Sequence, residues 1–135
     1  MNRLAPAILT AALLFGAGCV RATTATREEE ERATGGALAV GKVSFYGEWF
    51  RGKLTASGEK FNPDALTAAH PRLKFGSCLV VENTENGRRV QVRVNDRGPY
   101  VKGRILDVSL GAARVLGMVD SGVVRARLWR CDKPR

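Results

Sequence analysis

An alternating run of valines that ends in a rigid acidic turn constrains this chain more than any other stretch of it. Val90, Val92 and Val94 recur with period two, the pattern of a strand with one buried face. The run passes straight into Asn95-Asp96-Arg97-Gly98-Pro99-Tyr100. Gly98 has access to backbone conformations closed to other residues and Pro99 fixes its own φ, so the turn holds its shape. The strand also has a partner close by. Asn83-Thr84-Glu85-Asn86-Gly87-Arg88 contains Asn-Gly, a strong hairpin signal that pairs residues 79–82 with 89–94. At the end of the strand Asp96 reaches a stiff loop beside an arginine and an aromatic ring. Two readings of it are open on these residues alone. It is an acid or base presented to a polar substrate, or it is an Asx turn whose carboxylate only bonds nearby backbone.

Short strands are expected at about residues 42–47, 66–70, 78–83, 89–95, 105–107 and 123–131, and one short helix over 109–117. In the last strand Val123, Arg125 and Arg127 alternate with Val124, Ala126 and Leu128, a half-buried pattern. Ser109 is placed to cap the helix and Gly117 to end it. Closely spaced strands with so little helix argue for a small closed barrel, which leaves no edge exposed. Residues 41–135 are enough for one compact domain with one core.

The first forty residues read differently. Arg3 precedes a mostly apolar stretch over residues 4–15, too short to span a bilayer as a mature helix. Gly16-Ala17-Gly18 before Cys19 looks like a lipobox, with Gly16 where a leucine is usual. Residues 1–18 are therefore expected to be a lipoprotein signal peptide and Cys19 the lipidated residue. The other reading is an ordinary secretory leader cut nearby. Val20, not an aspartate, follows Cys19, which points to the periplasmic face of the outer membrane in a cell with two membranes. Residues 19–40 have no sustained apolar stripe and carry the acidic run Glu28 to Glu31, and are expected to be a flexible tether.

Residues 41–135 hold 18 Lys and Arg against 9 Asp and Glu, an excess of +9 that equals the formal charge of the whole chain. Such a charge alone would suit nucleic acid. The chain has no helix-turn-helix, RNP-like or zinc pattern, and its leader points outside the cell, so no nucleic-acid partner is expected. An exported basic domain instead fits a wall polymer bearing carboxylates or phosphates. Arg125, Arg127 and Arg130 read as solvated strand positions. A single histidine and no Cys-x-x-Cys leave too few ligands for a metal site, and neither metal nor cofactor is expected. With Cys19 assigned to lipid, Cys78 and Cys131 remain. In an exported protein they are expected to pair; the alternative is two buried thiols that never meet.

Several short motifs recur around the Asp96 turn. They are Ser44-Phe45-Tyr46-Gly47, the segment from Gly52 to Phe61 with Ser57-Gly58-Glu59, Leu66-Thr67-Ala68-Ala69-His70-Pro71, Leu73-Lys74-Phe75-Gly76-Ser77 and Gly103-Arg104-Ile105-Leu106-Asp107-Val108-Ser109. In this order and spacing, over about residues 41–130, the chain resembles the rare lipoprotein A family of bacterial cell-wall proteins. The resemblance implies a mainly β fold, a six-stranded double-psi β-barrel of the barwin and expansin kind with one or two short helices. It also implies lytic transglycosylase activity on the β-1,4 bonds of peptidoglycan glycan strands, with 1,6-anhydro-muramyl products. There the sugar's own 6-hydroxyl attacks, so one carboxyl group can serve as acid and then as base. Glycoside hydrolases usually need two.

By the same resemblance Asp96, Glu59 and His70 are the catalytic candidates, with the division of labour between the two carboxylates left open. His70 has a second reading, a ring that only satisfies backbone. Tyr46, Thr67, Arg97, Tyr100 and Arg104 are the substrate-binding candidates. The aromatic rings would pack on pyranose faces and the cations would pair with muramyl carboxylates. Asp107 reads as structural, at a partly buried strand end near the helix start. For Trp49 and Trp129 the core or the domain surface is at least as good a reading as the sugar groove. A monomer anchored to the membrane by its lipid is expected. The runner-up function is a non-catalytic, expansin-like module that binds or loosens the wall.

Overall fold

A computed structural model describes residues 35–131. The leader, Cys19 and the tether as far as residue 34 lie outside the described residues. In chain order the elements are β1 (Ala39–Tyr46), a 3-10 turn (Glu48–Phe50), β2 (Thr67–Ala69), β3 (Cys78–Asn83), β4 (Arg89–Asp96), β5 (Arg104–Ser109), α1 (Leu110–Val115) and β6 (Val123–Arg130). Each expected strand is present. β1 starts earlier than expected, at Ala39, because Ala39 to Gly41 pair with residues 126–128 of β6.

The strands close into a barrel in the order β1-β5-β2-β4-β3-β6, with β6 returning to β1. The Asn-Gly turn delivers the hairpin expected of it: Leu79 lies opposite Val92 and Val81 opposite Val90. Two pairings are parallel, β1 with β5 and β2 with β4, and the antiparallel pair β2–β5 joins them. This is a double-psi β-barrel. Its interior is filled by one face of each strand, including Val43, Leu79, Val81, Val90, Val92, Val94, Leu106, Val108 and Leu128. The helix closes one end of the barrel. Ser109 Oγ accepts a bond from Ala112 N–H, and Ala112, Ala113 and Leu116 are buried.

Two irregularities place the site. Ala68 pairs with Val94 but Ala69 pairs with Asp96, so Asn95 is an extra residue in β4. Strict alternation would put Asp96 on the valine face, inside the barrel. The bulge turns it outward, a use of bulges common beside active sites. The second is at Gly111, whose N–H donates to Pro63 O at 2.7 Å. A Cβ there would lie 2.7 Å from the Asp64 carbonyl oxygen, so only glycine lets the long β1–β2 segment close onto the helix. Cys78, at the start of β3, and Cys131, just past β6, are joined by a disulfide with Cα atoms 5.5 Å apart.

Candidate active site

The segment between β1 and β2 folds over the outer face of the wall made by β1, β5, β2 and β4. Its middle is a small hairpin: Leu54 bridges Lys60, Gly52 N–H donates to Phe61 O at 2.9 Å, and Phe61 N–H donates to Lys53 O at 2.8 Å. Between this hairpin and the wall runs an open groove of about 200 Å³. Tyr46, Ala69, Asp96 and Asp107 come to it from four different strands, Arg97 follows β4, and Phe50, Lys53, Leu54, Thr55 and Phe61 come from the covering segment. The groove therefore has apolar and aromatic sides with a few charged groups converging on them, the usual make-up of a small-ligand site.

Asp96 is held at one oxygen. Oδ1 accepts the backbone N–H of Ala56 at 2.9 Å and that of Arg97 at 2.8 Å. Oδ2 takes no hydrogen bond among the described residues, which leaves one carboxyl oxygen for chemistry. Asp107 is held by Ser44 Oγ–H and by Arg104 Nη2, the latter at 2.9 Å, both on Oδ1. Tyr46 packs on Phe61 with ring centroids 4.6 Å apart and meets Phe50 edge-on at 5.9 Å. Its hydroxyl is buried and has no partner among the described residues. Burial pushes the Tyr46 phenol pKa up, and the Asp96 and Asp107 carboxylates push the same way. The group thus stays an O–H donor. A buried donor left unmade costs about 1–3 kcal/mol, which an oxygen-bearing occupant of the groove would recover.

Of the residues singled out from the sequence, Tyr46, Asp96 and Arg97 meet at the groove. The Arg97 guanidinium also lies over the Phe75 ring at 3.9 Å and donates to the His70 carbonyl at 3.3 Å. Glu59 does not line the groove. It stands at the exposed tip of the hairpin, where both carboxyl oxygens accept from Arg93 at 2.6 and 2.8 Å. That pairing holds its carboxyl below the usual glutamate range. Arg104 reaches the site only through Asp107. Thr67 is buried beneath, its hydroxyl unpartnered among the described residues. Tyr100 is 80% exposed and Trp49 82%, whereas Trp129 is buried under Arg89.

His70 touches Asp96 through backbone, its N–H donating to Asp96 O at 3.2 Å. Its ring turns the other way: Nδ1 accepts the N–H groups of Arg72 and Leu73, each at 3.0 Å. The ring proton must then sit on Nε2. Burial lowers the His70 pKa, and Arg72, Arg97 and Arg130 add to the effect. A lowered folded pKa means the unfolded chain binds the proton more readily. The His70 contribution to stability is then complete above the unfolded value of about 6.5 and is lost as pH falls below it and through the lower folded value. Melting temperatures taken from pH 7.5 down to 5 should show the fall, and His70→Asn should flatten it. An unchanged slope in the variant would refute the assignment.

Asp107 is the groove residue that a structural reading of the sequence overlooked. The helix start is served by Ser109, and Asp107 faces outward between the buried Leu106 and Val108. Alternation within β5 alone puts it on the outer face. What cannot be read locally is that β1 lies alongside in parallel, with Ser44 opposite Asp107 and Tyr46 opposite Ser109.

The fold and the groove together define the class, a double-psi β-barrel whose bulged strand holds a half-bonded carboxyl group at an aromatic-sided site. Within that class the match is specific. The model of the lytic transglycolase family fits residues 39–128, and this chain belongs to that family. Among curated proteins it is 58% identical over 90 residues to the probable endolytic peptidoglycan transglycosylase RlpA of Nostoc sp., a match covering 65% of this chain and 24% of the relative. It is 45% identical over 109 residues to the endolytic peptidoglycan transglycosylase RlpA of Pasteurella multocida, covering 79% of this chain and 37% of that one. The shared region thus spans well under half of either relative. Among solved structures, the Streptomyces papain inhibitor matches with a TM-score of 0.55 at 24% identity, over 70% of this chain and 94% of the other. The Clavibacter michiganensis expansin matches with a TM-score of 0.55 at 22% identity, over 71% and 51%. These two likenesses concern the fold alone.

Proposed function

We propose that this chain is a lytic transglycosylase that cleaves the β-1,4 bonds of peptidoglycan glycan strands and leaves 1,6-anhydro-muramyl ends. The observation that carries the reading is Asp96, pinned through Oδ1 and open at Oδ2 in a groove of about 200 Å³ with aromatic sides. Family membership and the peptidoglycan transglycosylase relatives support the substrate.

The chemistry needs only one acid. Asp96 in its protonated form gives the proton to the glycosidic oxygen as the bond from that oxygen to the muramyl C1 breaks, and the leaving sugar departs with a new hydroxyl. The Asp96 carboxylate then takes the proton of the muramyl 6-hydroxyl as that oxygen bonds to C1. No water is consumed and Asp96 ends as it began. Asp107, oriented by Ser44 and Arg104, adds negative charge near the C1 centre as it becomes positive. The Tyr46 O–H and the Lys53 ammonium are donors for sugar oxygens and for the carboxylates of muramyl units.

Incubation of the purified protein with isolated sacculi tests the reading against its rival. Soluble anhydro fragments support the enzyme. Binding with no soluble fragment would show a wall-binding module instead.

We further propose that the protein is exported as a monomer and anchored by lipid at Cys19, on the strength of Gly16-Ala17-Gly18-Cys19. Labelling with a radioactive fatty acid should mark the wild type and not Cys19→Ala. An unlabelled wild type would refute the anchor.

A further inference from the structure

The hairpin that walls the groove meets β4 at its tip in three places. Ala56 N–H donates to Asp96 Oδ1 at 2.9 Å, Ser57 N–H donates to Asn95 O at 3.2 Å, and Arg93 grips Glu59 through two parallel bonds of 2.6 and 2.8 Å. Glu59 is itself tied into the hairpin. Its carbonyl accepts Thr55 N–H at 2.8 Å and Thr55 Oγ1–H at 3.0 Å, and its carboxylate accepts Ser57 Oγ–H at 3.3 Å. The Arg93–Glu59 fork is the only one of the tip contacts made by two side chains and the only one between full charges. Two parallel bonds fix orientation as well as distance. Neither residue lines the groove.

We infer that Arg93 and Glu59 form a clasp that keeps the hairpin closed on β4, so that Ala56 N–H stays on Asp96 and fixes which carboxyl oxygen faces the substrate. Both are then positioning residues that act through Ala56 on Asp96. The inference rests on the transglycosylase reading for its effect on turnover, though not for its effect on the hairpin. Both side chains are almost half exposed, at 47% and 43%. Exposed ion pairs contribute little to global stability. The clasp should therefore show in catalysis and in local opening, while the melting temperature barely moves. Small displacements of a catalytic group are costly, on the order of 10²-fold for about 1 Å.

The test compares full-length wild type with Glu59→Gln, Arg93→Gln and the reversed pair Glu59→Arg/Arg93→Glu. For each, kcat for anhydro-product release, melting temperature and hydrogen exchange at the Ala56 amide are measured. Each single variant should lose about tenfold or more in kcat, keep its melting temperature, and exchange faster at Ala56. The reversed pair should recover most of both losses. A folded reversed pair with Ala56 protected and kcat as low as in Glu59→Gln would overturn the inference, because Glu59 would then be needed for its own carboxylate. If the reversed pair does not fold, Arg93→Gln decides: wild-type kcat overturns the clasp, and low kcat with fast Ala56 exchange supports it. An inactive wild type would count against the transglycosylase reading. Unchanged Ala56 exchange in Glu59→Gln would still count against the clasp.

Discussion

Asp96→Asn should leave a folded protein that binds glycan strands and releases almost nothing from them. The substitution preserves volume, and Asn Oδ1 can still accept the N–H groups of Ala56 and Arg97 that hold the native carboxylate. What disappears is a proton that can be given and taken. Loss of general acid–base help lowers rates by on the order of 10²–10⁴-fold. Tyr46, Phe61 and Arg97 are untouched, so affinity for the strand should change little. If Asp96 only stabilises the turn before Gly98-Pro99, the outcome is reversed: the melting temperature falls and turnover per folded molecule stays at the wild-type level. Both quantities, measured on one preparation, separate the two readings.

Removing the disulfide should have the largest effect on stability. Cys78 and Cys131 are separated by 53 residues, and the loop they close takes in β3, β4, β5, α1 and β6. Loop-closure entropy for that length amounts to about 4 kcal/mol. For a domain of this size that is a drop in melting temperature on the order of 20 °C. Cys78→Ser/Cys131→Ser should show it, and so should wild type under reducing conditions. The bond staples β3 to β6, whereas the groove belongs to β1, β5, β2 and β4. Turnover per folded molecule at low temperature should therefore survive. Two free thiols found by alkylation of the denatured, unreduced protein would contradict the pairing.

Much of the barrel is legible residue by residue, because its signals are local. The alternating valines of β4, the Asn86-Gly87 turn and the Ser109 cap each specify their own neighbourhood. The resemblance carried by the motifs around Asp96 then supplies the double-psi topology, which periodicity does not carry. The site is harder to read, because it depends on which strands lie side by side. Alternation counted along β4 would hide Asp96 inside the barrel, and only the bulge at Asn95 turns it out. The bulge is a property of the parallel pairing with β2, which sets Ala69 opposite Asp96, 27 positions further along the chain. Asp107 enters the groove through the parallel pairing of β5 with β1, which no local pattern announces. The same holds for Arg93 and Glu59. They are 34 positions apart, and one sits mid-strand among valines, so their bidentate contact is invisible until the hairpin folds back over β4.

The chemistry proposed for Asp96 makes one demand that binding, stability and homology do not: the new end of the cut strand must come from the sugar itself. Digestion of isolated glycan strands in heavy-oxygen water, followed by mass analysis of the soluble products, measures this directly. The expected products end in a 1,6-anhydro-muramyl unit, are lighter by one water than the hydrolysed strand, and carry no heavy oxygen. Products with a reducing end that has taken up heavy oxygen would contradict the transglycosylase reading and show that water, not the 6-hydroxyl, completes the reaction.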